Sequence, residues 1–302
     1  MSLPTLKQLR YFIALDKHKH FGNAAKACFV SQSAFSVAIR ELETHLGAQL
    51  VDRTNKSVTI TRAGREVASH ARLCLRDIEY LGEIARSNQT PLSGRLNLGI
   101  IPTIAPFVLP ELLPLLRGQY PGLKLYLRED TTRNLHEFLL QGELDIILIA
   151  LPFKLSNVEI TPLFKDRFYM ACHKNSQLLD PQHYSLKNLP KESVILLEDG
   201  HCLRDHALSA CKIRNQDTVS RFAASSLLTL VSMVDSDIGI TYLTEMARDS
   251  SLLQNTEIET YALNKKSYRE IGLAWRKGSA RKEEFALLGD IIKTLNPDQS
   301  EH

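Results

Sequence analysis

The sequence predicts an α/β protein in three parts: a small helical N-terminal module, one long helix, and a C-terminal half made of two α/β subdomains. Three observations lead there. Residues 6–46 hold three segments with apolar residues at helical spacing, residues 67–85 repeat apolar positions four and three apart, and from Gly94 onward strand-like and helix-like stretches alternate.

In the N-terminal module, Leu6, Leu9, Phe12, Ile13 and Leu15 mark a first helix. A short second helix runs through Phe21–Cys28, where Ala24, Ala25 and Ala27 allow close approach of a neighbour. Ser31 is placed to cap a third helix over Gln32–His45, because a short hydroxyl side chain accepts a backbone N–H of the first turn. That helix buries Phe35, Ile39, Leu42 and Leu46 and turns Gln32, Ser33, Ser36 and Arg40 outward. This is helix-turn-helix anatomy, in which the second helix of the motif offers polar and basic side chains to base edges in a major groove. Charge agrees with it: residues 1–90 hold 13 Lys and Arg against 8 Asp and Glu, within a chain whose net charge is +3. A basic N-terminal part on a slightly acidic body suits a polyanionic partner.

Val67, Ala71, Cys74, Ile78, Leu81 and Ala85 form a seam of period 3.5 on one long helix, the pattern of a two-helix coiled coil and hence of a dimer. A helix packed on its own domain is the plainer alternative. Residues 88–94 end the helix and read as a linker.

Beyond it, strands are expected at Leu96–Ile101, Leu123–Leu127 and Ile146–Leu151, separated by helices at Ala105–Arg117 and Arg133–Gln141. These are βαβ units with a parallel sheet. The theme repeats with strands at Phe168–His173, Val194–Leu197, Thr218–Phe222 and Ile238–Leu243, helices after Cys202 and over Leu227–Val234, then a strand at Ile271–Arg276 and a terminal helix at Glu283–Leu295. Ligands of paired α/β subdomains bind at helix N-termini between them.

Several functions have no support. No run of 18 apolar residues exists and residues 1–19 lack the apolar stretch of a signal peptide, so a cytoplasmic location without membrane attachment is expected. The five cysteines, at 28, 74, 172, 202 and 211, are odd in number and lack CxxC spacing, which fits neither a disulfide framework nor a metal site. With no GxGxxG, GxxxxGK[ST] or HExxH either, neither a cofactor nor a metal is expected.

The stretch Leu197-Glu-Asp-Gly-His-Cys-Leu-Arg-Asp205 carries the clearest chemistry. Cys202 lies between His201 and Arg204 at what reads as a helix start, and both features favour a thiolate. Leu203, Ala207, Leu208 and Cys211 continue at helical spacing, which puts the two thiols near opposite ends of one short helix, about 13 Å apart. A disulfide needs Cα atoms about 4.4–6.8 Å apart, so joining the pair requires the helix to rearrange. That outlines a redox switch; a structural thiol beside a surface loop is the plainer reading.

Phe21-Gly-Asn-Ala-Ala-Lys-Ala, Val30-Ser-Gln-Ser-Ala-Phe-Ser36, Ile39-Arg-Glu-Leu-Glu43, Leu46-Gly47, Asp52-Arg-Thr54 and Thr59-Ile-Thr-Arg-Ala-Gly64 together resemble the LysR-type transcriptional regulators. The resemblance implies a winged helix-turn-helix over 1–62, a linker and dimerisation helix over 63–92, and a regulatory domain over 93–302 like the periplasmic binding proteins. Its subdomain I would span 93–164 and 268–302, and its subdomain II 165–267. Ser31, Gln32, Ser33, Ser36 and Arg40 would meet operator DNA, with Arg53, Lys56 and Arg62 around the wing on phosphates. Two departures stand out: Ser33 where the family usually has Pro, which costs helix-start rigidity, and Ala38 where Gln is common, which removes a potential base contact.

The cysteine stretch, its nine-residue step to Cys211, and Arg269-Glu-Ile-Gly-Leu273 resemble the hydrogen-peroxide-sensing OxyR branch of that family. This resemblance implies a regulator of oxidative-stress genes rather than an enzyme. Cys202 would be the peroxide-reactive thiol and Cys211 the resolving one. Thr103, Thr132, His201, Arg204, Asp205 and Arg269 would surround peroxide or stabilise the thiolate. The implied partners are double-stranded operator DNA, a homodimer through the linker helix assembling into a homotetramer, and RNA polymerase. A small metabolite as effector, or a thiol peroxidase, are the rival readings.

Overall fold

The computed structural model describes residues 3–53, 58–86, 91–178, 189–211, 213, 216–264 and 266–295. Met1–Pro91 with Phe138–Leu144 form one compact unit, and Leu92–Glu137 with Asp145–His302 form another.

The first unit contains α1 (Leu6–His18), α2 (Phe21–Ala27), α3 (Gln32–Leu46), the antiparallel pair β1 (Val51–Arg53) and β2 (Val58–Ile60), and α4 (Arg62–Arg86). Thr5 and Gln8 form a reciprocal capping box that starts α1, so two otherwise orphaned N–H groups are satisfied at once. Ser31 caps α3 through the Ala34 N–H at 3.2 Å, and Gly47, at φ +61°, ends it in the left-handed conformation that favours glycine. Phe12, Leu15, Phe35, Ile39 and Leu42 are fully buried together, with Tyr11 stacked on Phe35 at 5.1 Å. Gly64 has no substitute, because an added Cβ would collide with the Leu50 carbonyl where α4 passes the start of β1. On α4, Ala71 is buried, while Ile78 and Leu81 are 39% and 63% exposed. Cys74, read from the sequence as part of an apolar seam, is exposed in the single chain.

The second unit follows with β3 (Gly94–Ile100), α5 (Ala105–Gln119), β4 (Leu123–Glu129), α6 (Thr132–Leu140), β5 (Ile146–Leu151), β6 (Val158–His173), β7 (Val194–Leu197), α7 (Cys202–Ala210) and β8 (Val219–Ala224). It ends with α8 (Leu227–Asp235), β9 (Thr241–Thr244), α9 (Glu245–Arg248), β10 (Ile258–Ala262), β11 (Tyr268–Arg276) and α10 (Lys282–Thr294). Six strands order as β10-β6-β11-β5-β3-β4, with β9 also on β6, and β7 pairs with β8 separately.

The parallel arrangement expected of the βαβ units holds for β3, β4 and β5, but the sheet as a whole is mixed. β3 runs parallel to β4 and β5, as the βαβ pattern requires, but β11 is antiparallel to both β5 and β6, and β9 and β10 are antiparallel to β6. Apolar periodicity identifies a strand without fixing its neighbour's direction, and β11 enters the sheet from the end of the chain rather than through a βαβ crossover. The 16-residue β6 serves two sets of partners, meeting β11 along Val158–Arg167 and β9 or β10 along Phe168–His173. All six residues of β5 are buried, as a central strand covered on both faces must be. β10 and α9 were not anticipated from the sequence; β10 alternates weakly because it lies at a sheet edge. Among the described residues, no helix is long and apolar enough to cross a membrane.

Candidate functional site

Gly200, at φ +101°, turns the chain out of β7 in a conformation other residues rarely adopt, and α7 begins two residues later. Cys202 is its first residue and Cys211 its C-cap, whose N–H donates to the Ala207 carbonyl at 2.9 Å. Leu203, His206 and Ala207 form the buried face that holds the helix down. Both cysteines are free and buried, one at each end of a nine-residue helix.

The Cys202 sulfur lies 2.9 Å from the Thr132 hydroxyl at the start of α6. Arg269 of β11 is wholly buried and pairs through Nε with the Asp166 carboxylate at 2.9 Å. It donates from Nη1 to the Thr103 hydroxyl and from Nη2 to the Thr103 carbonyl, both at 2.8 Å. Asp166 accepts a further bond from the Met246 N–H at 3.1 Å, which satisfies a second lone pair of a carboxylate removed from water. His206, one turn beyond Cys202, has Nε2 3.1 Å from the Pro152 carbonyl; that oxygen can only accept, so Nε2 carries the proton. Its Nδ1 is buried without a hydrogen-bond partner.

Electrostatics correct one expectation. Burial pushes the Cys202 thiol above its usual pKa and Asp205 adds to the rise; the Thr132 hydrogen bond and the Arg269 charge pull the other way without prevailing. The cation next in sequence does not help: Arg204 is taken up by Asp199 at 2.9 Å and the Leu197 carbonyl at 3.3 Å. Asp205 is exposed and acts on the sulfur only as an unfavourable charge. Burial alone drives Cys211 up to about 12 and, with smaller contributions from Glu259 and Asp237, Cys172 to about 11. His206 is held below its ordinary value, first by burial and further by Arg269.

The structure therefore brings Thr132 to Cys202 and Thr103 to Arg269, two pairings that no local pattern encodes. The N-terminal residue of α5 is not capped by Thr103, whose hydroxyl serves Arg269 instead. His201 makes no side-chain cap bond and lines, with Thr103, Phe107, Glu129 and Ser226, a cavity of about 450 Å³. Sequence reasoning missed Asp166 and His206. For His206 a signal existed, since position i+4 from a helical cysteine shares its face; for Asp166 none did.

In the first unit, Ser31, Gln32, Ser33 and Arg40 are exposed on α3 and Ser36 is half-buried. The Ser31 and Ser33 hydroxyls lie 3.1 Å apart, and Arg62 pairs with Glu66 at 3.3 Å on the solvent face of α4. Lys56 and the side chain of Arg53 lie outside the described residues. Among the described residues there is no group of three His, Cys, Asp or Glu placed to hold a metal.

Residues 6–65 match the bacterial regulatory helix-turn-helix protein family of lysR type, and residues 89–296 match the LysR substrate binding domain. The chain is 40% identical to the HTH-type transcriptional regulator EstR of Acinetobacter baylyi, over 97% of this chain and 98% of that one. It is 34% identical to the DNA-binding transcriptional dual regulator OxyR of Escherichia coli, over 95% and 94%. A full-length OxyR variant from Pseudomonas aeruginosa superposes with a TM-score of 0.80 at 32% identity, covering 100% of this chain and 99% of that one. With both family matches in place and relatives aligned along nearly its whole length, the chain belongs to the LysR family of transcriptional regulators, OxyR proteins among its homologues.

Proposed function

We propose that the protein is a peroxide-responsive regulator in which Cys202 is the sensing thiol and Cys211 the resolving one. The observation that carries this is the 2.9 Å contact between the Thr132 hydroxyl and the Cys202 sulfur, beside an arginine buried on Thr103. The Cys202 sulfur attacks one peroxide oxygen, the O–O bond breaks, and Cys202 sulfenic acid and water result; Cys211 then displaces a second water to close the disulfide. Thr103, Thr132, His201 and Arg269 surround the peroxide. Arg204 and Asp205 have a lesser part, since Arg204 is engaged by Asp199.

Closing the disulfide melts part of α7, and the rearrangement alters how 165–267 packs on 93–164 and 268–302. Residues 1–62 bind operator DNA through Ser31, Gln32, Ser33, Ser36, Arg40, Arg53, Lys56 and Arg62. The helix over 63–92 pairs two chains through Ile78 and Leu81, and dimers associate into a tetramer whose spacing on DNA responds to oxidation.

The test is a thiol count and peptide map before and after one equivalent of hydrogen peroxide. A crosslinked Cys202–Cys211 peptide with altered operator binding is expected. Two intact thiols at unchanged binding would sink the reading. A second reading, regulation by a small metabolite, is favoured by the cavity of about 450 Å³ beside His201 and by the 40% identity to EstR. Retention of peroxide-independent regulation by Cys202→Ser would select it.

A further inference from the structure

We infer that His206 is a proton-transfer residue at the Cys202 sulfur, its Nδ1 taking the thiol proton and returning it to the departing hydroxide. The inference rests on the peroxide reading above and adds to it a group that neither the thiol pair nor its surrounding threonines supply.

Four observations carry it. His206 is 92% buried, and its tautomer is fixed, because the Pro152 carbonyl 3.1 Å from Nε2 leaves the lone pair on Nδ1. That lone pair has no hydrogen-bond partner, a costly state for a buried nitrogen unless something transient occupies it. Cys202 and His206 are four residues apart and both buried on one helix, so their side chains share a face with Cβ atoms about 5–6 Å apart. The Thr132–Cys202 pair holds two hydrogens, one O–H and one S–H, but uses only one of them in its mutual bond. The spare hydrogen and the spare lone pair thus belong to buried residues one turn apart on α7.

Charges around the ring set its working state. Arg269 from β11, whose charge is matched by Asp166 of β6, discourages a second buried cation, and Asp205 on α7 opposes it only from solvent. Burial and then Arg269, prevailing over the Pro152 hydrogen bond and Asp205 that favour the charged ring, keep the imidazole neutral near pH 7, with Nδ1 able to accept. In the reaction the S–H bond breaks as N–H forms, sulfur attacks oxygen, and the O–O bond breaks. The proton on Nδ1 then joins the leaving hydroxide. Sulfur loses two electrons and peroxide gains them, giving Cys202 sulfenic acid, one water and His206 restored.

The test is the rate of Cys202 oxidation by hydrogen peroxide against pH, read by mass spectrometry on the full chain. With a neutral base serving a thiol of raised pKa, the wild-type rate is flat from about pH 6.5 to about pH 9. His206→Gln keeps a donor for the Pro152 carbonyl but has no basic nitrogen. Its rate is expected to be about a hundred-fold lower at pH 7 and to climb roughly ten-fold per pH unit, as free thiolate alone reacts. His206→Asn, shorter by one carbon, should show the same slope and provides the reading should the glutamine variant fail to fold. A merely structural histidine would change the rate without changing the slope. Variants with the wild-type flat profile overturn the role of His206 alone. A wild-type chain that is never oxidised at Cys202 overturns it together with the peroxide reading.

Discussion

At its first residue α7 sets Cys202 against the Thr132 hydroxyl and in the field of Arg269, whereas at its C-cap it sets Cys211 in an apolar cluster where burial is the sole cause of the thiol's raised pKa. The pKa of both lies above that of a free thiol, yet for Cys202 a hydrogen bond and a buried cation oppose the rise, and for Cys211 nothing does. One end of the helix thus carries groups that stabilise negative charge on sulfur, and the other carries none. The two thiols differ in company rather than in exposure, since they are 8% and 1% exposed.

Substitutions at the two ends break or sharpen this contrast. Cys202→Ser should abolish the peroxide response outright, read as operator binding before and after oxidant, whereas Cys211→Ala should leave the first oxidation intact and trap sulfenic acid at Cys202. A response in the serine variant equal to wild type would remove the asymmetry. Arg269→Ala comes next: it strands Asp166 without its cation in a fully buried position, which should cost about 3–5 kcal/mol in denaturant unfolding. Adding Asp166→Asn should restore much of that loss, because the uncompensated charge is what costs most.

Thr132→Val removes only the hydroxyl at the sulfur, with nearly the same volume. The Cys202 thiol should titrate higher still and be oxidised about ten-fold more slowly, the equivalent of roughly 1.4 kcal/mol, with little effect at Cys211. The smallest effect is on pH-dependent stability. An unfolded chain protonates His206 near its ordinary pKa of about 6.5, and the folded chain only at lower pH. Between those values the unfolded state holds more protons, so the contribution of His206 to stability is constant above about pH 6.5 and declines as the pH falls, by at most about 1.4 kcal/mol per pH unit. The urea midpoint of His206→Gln should lack that component.

Legibility in the sequence followed the range of the interactions. α1 to α3 and the Ser31 cap were legible because capping and apolar periodicity act within four positions, although Leu46, read as buried at the end of α3, is 39% exposed. The ends of α7 were equally legible, and so was Cys202 as its most interesting atom. The direction of its pKa was not. His201 and Arg204 are neighbours in the chain, but Arg204 turns to Asp199 and the charge that reaches the sulfur comes from Arg269, 67 positions away. The mixed sheet escaped for the same reason, since the pairing of β11 with β5 and β6 is decided by packing across more than a hundred residues.

Arg269, Asp166 and Thr103 sit on three segments that meet only when β3, β6 and β11 have all paired, over sequence separations of 103 and 166 residues. Contacts closing such long loops form late in folding, and a guanidinium is not surrendered by water until its carboxylate and hydroxyl are waiting. In a nascent or partly unfolded chain Cys202 and Cys211 are therefore ordinary thiols, and the cation beside Cys202 arrives only with the pairing of these strands. On the peroxide reading proposed above, oxidant that reaches the chain during synthesis meets no sulfur held beside a hydroxyl and a buried cation, so a response to peroxide requires a folded chain.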